Sequence, residues 1–261
     1  MTAAAERKVK LKIENLSLSI GGVKALDNFS LDIYDNEILA IVGPDSAGKT
    51  GILDCISGFS KPRSGQIHLE GENCTGISPS KAVQLGIART FKDTELFTGL
   101  TVLDNLMAAR HILVDQNLLT GALYYGPAQG EETDHRRAVE EIINFLEMEA
   151  IRNSNVVALT YVQRKKVELA KALATEPEVL LLDEMFAGLN LQEKADFTGF
   201  ISDIFKGQGH AYPRTPVLRD GIKCIVLFEQ ELDAVKGIAE RVIMLDSGKK
   251  TADGLPAELK K

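Results

Sequence analysis

The chain has 261 residues, of which 44% are hydrophobic and 26% are charged, and its formal net charge is −7 at pH 7. This length suits one large α/β domain, or one domain with an inserted lobe, and the acidic balance argues against a large nucleic-acid surface, since such surfaces are basic. No segment reaches the ~20 apolar residues of a membrane-spanning helix, and Met1–Lys12 has no apolar signal-peptide core, so we expect a cytoplasmic protein.

The first half of the chain opens with strand patterns. Val9–Ile13 and Phe29–Ile33 alternate apolar and polar residues, which predicts half-buried antiparallel strands. Ile38–Val42 is a short apolar run and predicts a buried strand. A glycine-rich turn and an apolar-patterned segment follow in Gly43–Gly58, and Gln66–Leu69 marks a short polar hairpin.

A long stretch in the middle, Thr101–Leu173, is mostly helical in pattern. Within it, Asp134–Glu147 predicts a charged helix with one apolar side, and a second helix has one apolar face. The apolar positions of the first helix are Ala138, Ile142, Ile143 and Phe145, and those of the second are Val167, Ala170 and Ala174.

Strands return in the last third. Val179–Leu182 predicts a buried strand that runs into two carboxylates. Lys223–Phe228 and Val242–Leu245 predict two more, with a charged helix between them, while Gly207–Gly221 predicts a surface loop rich in Gly and Pro. Strands alternating with helices indicate an α/β fold with a largely parallel sheet, and the long helical stretch indicates an inserted helical lobe.

One segment has the spacing of a phosphate-binding loop, G-x-x-x-x-G-K-[ST]. It reads Gly43, Pro44, Asp45, Ser46, Ala47, Gly48, Lys49 and Thr50, and Gly51 follows it. A strand precedes it and a helix follows, so backbone amides of the loop and of the helix N-terminus would point at phosphate oxygens. The two glycines allow a close wrap, Lys49 would supply charge to the β- and γ-phosphates, and Thr50 would offer a hydroxyl to Mg²⁺.

A second element ends the apolar run Val179–Leu182 with Asp183 and Glu184. Open α/β sheets bind ligands at the carboxyl ends of their strands, so both carboxylates would face the same ligand. We expect Asp183 to hold Mg²⁺ directly or through water, and Glu184 to orient or deprotonate an attacking water.

The remaining candidates for chemistry are thiols and imidazoles. The cysteines are odd in number and scattered, which is typical of reduced intracellular thiols, and we expect them to be buried small side chains; they are Cys55, Cys74 and Cys224. The histidines have no metal-ligand spacing; they are His68, His111, His135 and His210.

Together with the surrounding sequence, these motifs resemble the ATP-binding subunits of ATP-binding-cassette (ABC) transporters. The resemblance extends over nearly the whole chain and is strongest to the ATPases of Liv-type branched-chain amino-acid importers. Four further segments carry the resemblance: Gly86–Phe91, Leu100–Asn105, Ala187–Asn190 and Leu245–Lys250.

The resemblance implies one P-loop NTPase domain over 1–261, with a core and antiparallel β subdomain in 1–92 and 176–261 and an inserted helical subdomain in 93–175. It also implies MgATP as ligand, a head-to-tail dimer with a second ATPase subunit, a pair of membrane permease subunits, a separate solute-binding protein, and a place on the inner face of the membrane.

The chain departs from the family pattern at nucleotide-facing positions. Ile20 stands where an aromatic residue stacks on adenine, and losing such stacking weakens binding roughly five- to hundred-fold. Lys92 replaces a glutamine that touches Mg²⁺ or water. A lysine cannot accept a hydrogen bond and would repel Mg²⁺, although it can contact a phosphate instead.

The signature segment departs as well. The family reads leucine-serine-x-glycine-glutamine, and this chain reads Leu159–Gln163, with Thr160 keeping a hydroxyl and Val162 in place of the glycine. We expect a β-branched Val162 either to push the backbone away from the γ-phosphate or to resist its φ/ψ.

Gln230 stands at the position of the family's switch histidine. A glutamine can donate to a phosphate oxygen but carries no positive charge. Asp45 stands where asparagine is usual and adds negative charge near phosphates, and Met185 replaces a proline. Because these changes cluster on nucleotide-facing positions, we expect a subunit that binds nucleotide and hydrolyses it poorly.

Three functions stay open at this point. The first is an importer ATPase, and the second is a weakened nucleotide-binding regulatory subunit of a heteromeric ABC complex. The third is a soluble ABC protein of DNA repair or translation, against which the acidic charge and the lack of a coiled-coil insertion argue.

Overall fold

The computed structural model describes residues 7–113, 127–207, 212–213 and 215–259. The chain divides into two compact units. The first comprises Met1–Arg89, Glu178–Gly188 and Ile222–Lys261, and the second comprises Thr90–Pro177 and Leu189–Gly221. The predicted division into 1–92, 93–175 and 176–261 stays a prediction.

The described part of the first unit contains ten strands and two helices. The strands are β1 (Val9–Ile20), β2 (Val23–Tyr34), β3 (Glu37–Val42), β4 (Ser64–Leu69), β5 (Glu72–Asn73), β6 (Ile87–Arg89), β7 (Val179–Asp183), β8 (Cys224–Glu229), β9 (Arg241–Asp246) and β10 (Lys249–Gly254). The helices are α1 (Lys49–Ile56) and α2 (Pro79–Gln84).

Four strands form an antiparallel sheet in the order β2-β1-β4-β5. The predicted antiparallel strands and the predicted hairpin near residue 66 are confirmed, although β1 and β2 each continue well beyond the alternating segments. The turn between them is Gly21–Gly22, and both glycines have positive φ (56° and 83°), as the tight turn of a two-residue hairpin requires.

The other six strands form a sheet in the order β10-β9-β3-β8-β7-β6, parallel from β9 to β6, with β10 antiparallel at one edge. Every residue of β3, β7 and β8 is buried, which explains their near-continuous apolar sequences. The predicted buried strands and the largely parallel sheet are confirmed. The parallel arrangement brings the carboxyl ends of β3, β8 and β7 to one edge of the sheet.

The prediction of a charged helix between β8 and β9 is wrong. The connection contains only a single 3-10 turn, Leu232–Ala234. Gly237 lies where the helix would continue, and glycine is a poor helix former. The amide of Glu240 donates to the carbonyl of Ile38 (2.9 Å), so the end of the connection hydrogen-bonds to the sheet instead.

The described part of the second unit is helical. Its helices are α3 (Val102–Arg110), α4 (Pro127–Phe145), α5 (Tyr161–Leu173), α6 (Leu191–Lys206) and α7 (Pro216–Arg219). The apolar positions predicted on α4 and α5 are all buried, which confirms both amphipathic patterns. Residues 114–126 of the predicted helical stretch lie outside the described residues.

The segment Gly207–Gly221, predicted as a loop, contains the short helix α7 where it is described. Thr215, which precedes α7, is fully buried, and its hydroxyl donates to the carbonyl of Ala138 (3.2 Å) and contacts Glu141 (2.8 Å). This part of the segment is therefore packed into the unit, because its polar groups find partners on α4.

The three cysteines are free and buried, as predicted. Burial raises the pKa of the Cys55 and Cys224 thiols to about 12 each. Such thiols stay protonated at neutral pH and act as small apolar side chains. Within the described ranges, no helix combines the length and apolarity that crossing a membrane requires.

Candidate functional site: a glycine loop facing two carboxylates

The loop that follows β3 runs through the predicted phosphate-binding residues into a helix. It forms a 3-10 turn at Asp45–Ala47 and continues into α1, which begins at Lys49. The first N–H groups of a helix lack partners within the helix, so this start leaves donors for an anion. The strand–loop–helix context inferred from the sequence is therefore confirmed.

The two glycines of the loop are required by close backbone contacts. A Cβ on Gly43 would lie 2.2 Å from the carbonyl oxygen of Leu245. A Cβ on Gly48 would lie 2.4 Å from the carbonyl oxygen of Ala25, and Gly48 also has φ = +103°. The loop thus fits tightly against β9 and β2, and no other residue type fits at either position without moving the backbone.

The side chains of the loop divide between surface and core. Ala47 and Gly51 are buried, and a Cβ on Gly51 would lie 3.1 Å from Leu18, so α1 packs closely on β1. The exposed loop residues are Pro44, Asp45, Ser46 and Thr50. The outer face of the loop, with its one carboxylate and two hydroxyls, is therefore open to a ligand.

Lys49 places a cation beside the loop, and it is 2% exposed. Its Nζ donates to the carbonyl of Gly43 and to that of Pro44 (3.1 Å), and it lies 3.9 Å from Glu184 Oε1. A buried ammonium needs such partners to offset its loss of hydration. The lysine is thus held beside the loop and beside the carboxylate that follows β7.

The carboxyl end of β7 delivers the two predicted carboxylates. Asp183 is 7% exposed and Glu184 is 2% exposed. Glu184 has φ = +45°, a left-handed conformation that costs of order 1–3 kcal/mol in a non-glycine residue. Its amide donates to the carbonyl of Phe228 (2.8 Å), which fixes this turn against the end of β8. The geometry brings Glu184 and Lys49 together at this edge of the sheet, and the roles predicted for Asp183 and Glu184 stay predictions.

Gln230 lies at the same edge and contacts two carboxylates. Its Nε2 donates to Asp45 Oδ1 (2.8 Å) and approaches both oxygens of Glu184 (3.0 and 3.1 Å). A glutamine amide has two N–H groups on one nitrogen, so it can serve both acids. The sequence pointed to Gln230 as a donor to phosphate, and the structure shows that its donors face Asp45 and Glu184.

Arg89 and Glu229 are site residues that the sequence analysis does not identify. Arg89 ends β6; its Nη1 donates to Asp54 Oδ1 (2.8 Å), and its Nη2 lies 3.5 Å from Asp183 Oδ2. Glu229 ends β8, is 4% exposed, and accepts the amide of Phe186 (3.0 Å). An apolar strand that ends in an acid was the signal used for Asp183, and β8 carries the same signal at Glu229.

The oxygen donors present suit a small hard cation. Mg²⁺ takes one or two carboxylates together with phosphate oxygens and water, and it does not need an all-protein cage. Asp183 supplies a carboxylate and Thr50 an exposed hydroxyl in the first turn of α1. Among the described residues, no group of three or more His, Cys, Asp or Glu side chains could hold a metal by itself. The donor set fits Mg²⁺ carried in with phosphate.

Ile20 closes the hairpin of β1 and β2 and is 51% exposed. Its cross-strand partner Val23 is 70% exposed. Two large aliphatic side chains thus stand in solvent at the tip of the hairpin, and β1 and β2 also pack on the phosphate loop through Leu18 and Leu26. The sequence singled out Ile20 and missed Val23, which the register of the hairpin places opposite it.

The other predicted positions, Lys92, Thr160 and Val162, belong to the second unit. Lys92 is exposed. Thr160 caps α5: its Oγ1 accepts the amide of Gln163 (3.3 Å), and Gln163 Oε1 accepts the amide of Thr160 (2.9 Å). Val162 lies in the first turn of α5 with negative φ, so the expected φ/ψ resistance is wrong, because valine adopts a helical backbone at small cost.

A glycine loop between a buried strand and a helix, with a lysine reaching a carboxylate at the end of a neighbouring strand, defines a nucleotide-binding α/β protein of the P-loop class. A family model described as "ABC transporter" matches residues 26–187, which include the loop and both carboxylates. The chain belongs to the ABC transporter family, whose ATP-binding subunits are ATP hydrolases coupled to transport.

Individual relatives agree with this assignment. The chain is 31% identical over 253 residues to the high-affinity branched-chain amino acid transport ATP-binding protein LivG of Escherichia coli (strain K12), covering 96% of this chain and 93% of LivG. It is 28% identical over 251 residues to a probable sulfate/thiosulfate import ATP-binding protein, CysA, of Chlorella vulgaris, covering 96% and 93%. A solved ATP-binding cassette of an ABC transporter, studied in a twinned crystal, has a TM-score of 0.76 at 26% identity and covers 96% of this chain and 92% of its own.

Proposed function

We propose that the chain is the ATP-binding subunit of an ABC importer for branched-chain amino acids or related solutes. The observation that carries the proposal is the convergence of Lys49, Glu184 and the glycine loop at one edge of the parallel sheet. The similarity to LivG over nearly the whole chain supports this solute class. The chain is also similar to a subunit of a sulfate importer, so similar ATP-binding subunits serve different solutes. This supports a complex in which the permease and a separate binding protein select the solute.

The residues of the first unit divide the work of phosphoryl transfer from ATP to water. Loop amides and Lys49 hold the phosphates, Thr50 and Asp183 hold Mg²⁺, and Glu184 orients the attacking water. When bound, Mg²⁺ neutralises charge on the phosphate oxygens. Ile20 supplies an apolar surface for the base in place of an aromatic ring.

The assembly that we propose follows from the importer relatives. The chain pairs with a second ABC ATPase subunit, identical or different, and the pair docks on membrane permease subunits at the inner face of the membrane. A separate solute-binding protein delivers the solute. Thr160, Val162 and the rest of the signature segment then serve the nucleotide site of the other ATPase subunit.

A second candidate function is a catalytically weakened, regulatory nucleotide-binding subunit of a heteromeric complex. The Gln230 amide on both oxygens of Glu184 favours this alternative. An amide that donates to both oxygens of a carboxylate competes with an attacking water for the same acceptors. A glutamine in place of the switch histidine also supplies no transition-state charge.

Hydrolysis by the assembled complex tests the first candidate. The tagged chain is purified with its bound partners, and Mg²⁺-dependent phosphate release is measured for wild type and for Glu184→Gln. We expect the variant to retain nucleotide binding and to lose about 100-fold or more in rate, the size of a general-base contribution. An unchanged rate would remove Glu184 from the mechanism.

A triple substitution tests the regulatory alternative. Lys92→Gln, Val162→Gly and Gln230→His together introduce the family residues at three departing positions. If those departures weaken catalysis, the triple variant should hydrolyse ATP faster than wild type by about tenfold. A rate equal to wild type would count against this alternative. Adjacent permease genes would distinguish both candidates from a soluble ABC protein.

A further inference from the structure

Two of the residues that depart from the family pattern, Asp45 and Gln230, contact each other. Their side chains meet at 2.8 Å, and the same Gln230 nitrogen approaches Glu184 at 3.0 and 3.1 Å. Two carboxylates, one from the loop and one from the end of β7, therefore share one amide donor. The amide cannot be turned to present its oxygen, because that would place an acceptor against two acceptors.

The shared amide lies beside the Lys49 ammonium. Lys49 Nζ is 3.9 Å from Glu184 Oε1 and bonds to the carbonyls of the loop that contains Asp45. Each phosphate added to a nucleotide in this loop adds negative charge near the same lysine. A terminal phosphate that reaches Lys49 therefore approaches Glu184, and it also approaches Asp45 on the exposed face of the loop.

We propose that Asp45 is a specificity-determining residue that makes this site favour a nucleoside diphosphate over a triphosphate. The inference rests on the proposed nucleotide-binding function and deepens it. A diphosphate needs the loop amides and Lys49, whereas a third phosphate also meets the charge of Asp45 and competes with Asp45 and Glu184 for the Gln230 amide. Glu184 is buried, where like charges repel more strongly than in water, and Asp45 adds a second negative charge on the exposed side.

Substitutions at position 45 separate charge from hydrogen bonding. Asp45→Asn removes the charge and keeps an oxygen that can accept the Gln230 N–H, so the local geometry is preserved. Asp45→Ala removes both the charge and the acceptor. Asp45→Glu keeps the charge. Asp203→Asn removes an exposed carboxylate from α6 in the second unit and serves as a control for the lower net charge.

The measurement is the ratio of two dissociation constants on the purified chain with Mg²⁺: that of a non-hydrolysable ATP analogue over that of ADP. We expect the ratio to exceed one in wild type and to fall about tenfold in Asp45→Asn and Asp45→Ala, a change of ~1.4 kcal/mol. Asp45→Glu and Asp203→Asn should leave it unchanged. A loss of folding would weaken the binding of both nucleotides equally and leave the ratio unchanged.

An unchanged ratio in Asp45→Asn would overturn the inference while nucleotide binding persists. If Asp45→Ala alone changed the ratio, the effect would belong to the hydrogen bond and not to the charge. Failure of wild type to bind either nucleotide would instead overturn the proposed function itself. The two failures are therefore distinguishable in the same titrations.

Discussion

The phosphate loop of the first unit and the signature segment of the second unit differ in how strongly the fold constrains them. In the loop, Gly43 and Gly48 are required by backbone oxygens 2.2 and 2.4 Å from any added Cβ. In the signature segment, Val162 occupies a helical position, and Thr160 and Gln163 form a capping box around it. In these two segments the chain keeps glycine where its own backbone demands it and departs from glycine at Val162, where a helix accepts either residue.

The same distinction holds within the first unit. Asp45 lies between the two constrained glycines, but its side chain is exposed, and its backbone is not in the left-handed region that favours glycine. Gln230 follows β8 and reaches the site with its side chain alone. Positions that act only through their side chains are therefore where ligand affinity and catalysis can change while the fold is kept.

The largest expected effect is on the free energy of unfolding, which should fall much more for a change in the phosphate loop than for one in the signature segment. Gly43→Ala places a Cβ against the Leu245 carbonyl and should lower the free energy of unfolding by about 3 kcal/mol, as severe overpacking does. Val162→Gly should lower it by no more than about 1 kcal/mol, since it adds only the helix penalty of glycine and loses a partly buried side chain. Urea denaturation of both variants checks the difference. Equal losses would erase the contrast between the regions.

The next effect concerns the affinity of the loop for nucleotide. Lys49→Ala should weaken ATP binding about 100-fold, because a charged donor to phosphate contributes ~1.5–3 kcal/mol. Isothermal titration calorimetry measures the loss. Lys236→Ala, which removes an exposed lysine of the same unit, should bind as wild type does. Wild-type affinity in Lys49→Ala would contradict the assignment of the loop as the phosphate site.

The smallest effect concerns the base. Ile20→Tyr introduces a ring at the exposed tip of the hairpin, opposite Val23, and should tighten ATP binding about fivefold through stacking. The same substitution should tighten ADP binding equally, because the base is common to both nucleotides. Titration with ATP, ADP and a base-free triphosphate checks this. Tighter binding of the base-free compound would show that the effect does not come from stacking.

Much of the fold could be predicted because its signals are local. Apolar runs marked β3, β7, β8 and β9, and glycine spacing marked the loop between β3 and α1. The charge pattern alone predicts a helix after β8, but Gly237 disfavours a helix there, and the amide of Glu240 bonds to the carbonyl of Ile38 instead. The short helix α7 could not be predicted from the sequence, because the residue before it, Thr215, is held by contacts with α4.

The candidate site was predictable residue by residue, but its contacts were not. The sequence named Asp45, Glu184 and Gln230 separately, and only the sheet order brings the loop after β3 beside the ends of β8 and β7. The ion pair of Arg89 with Asp54 likewise joins residues far apart in the chain. Such contacts depend on long-range packing, which no periodicity in the sequence encodes.

The most direct test of the account is a crystal structure of the chain with Mg²⁺ and a non-hydrolysable ATP analogue. We predict phosphates against the amides of Gly43–Thr50, with Lys49 Nζ turned from the loop carbonyls to a phosphate oxygen. A phosphate tail bound elsewhere, with the loop unliganded and Lys49 still on the carbonyls of Gly43 and Pro44, would contradict it.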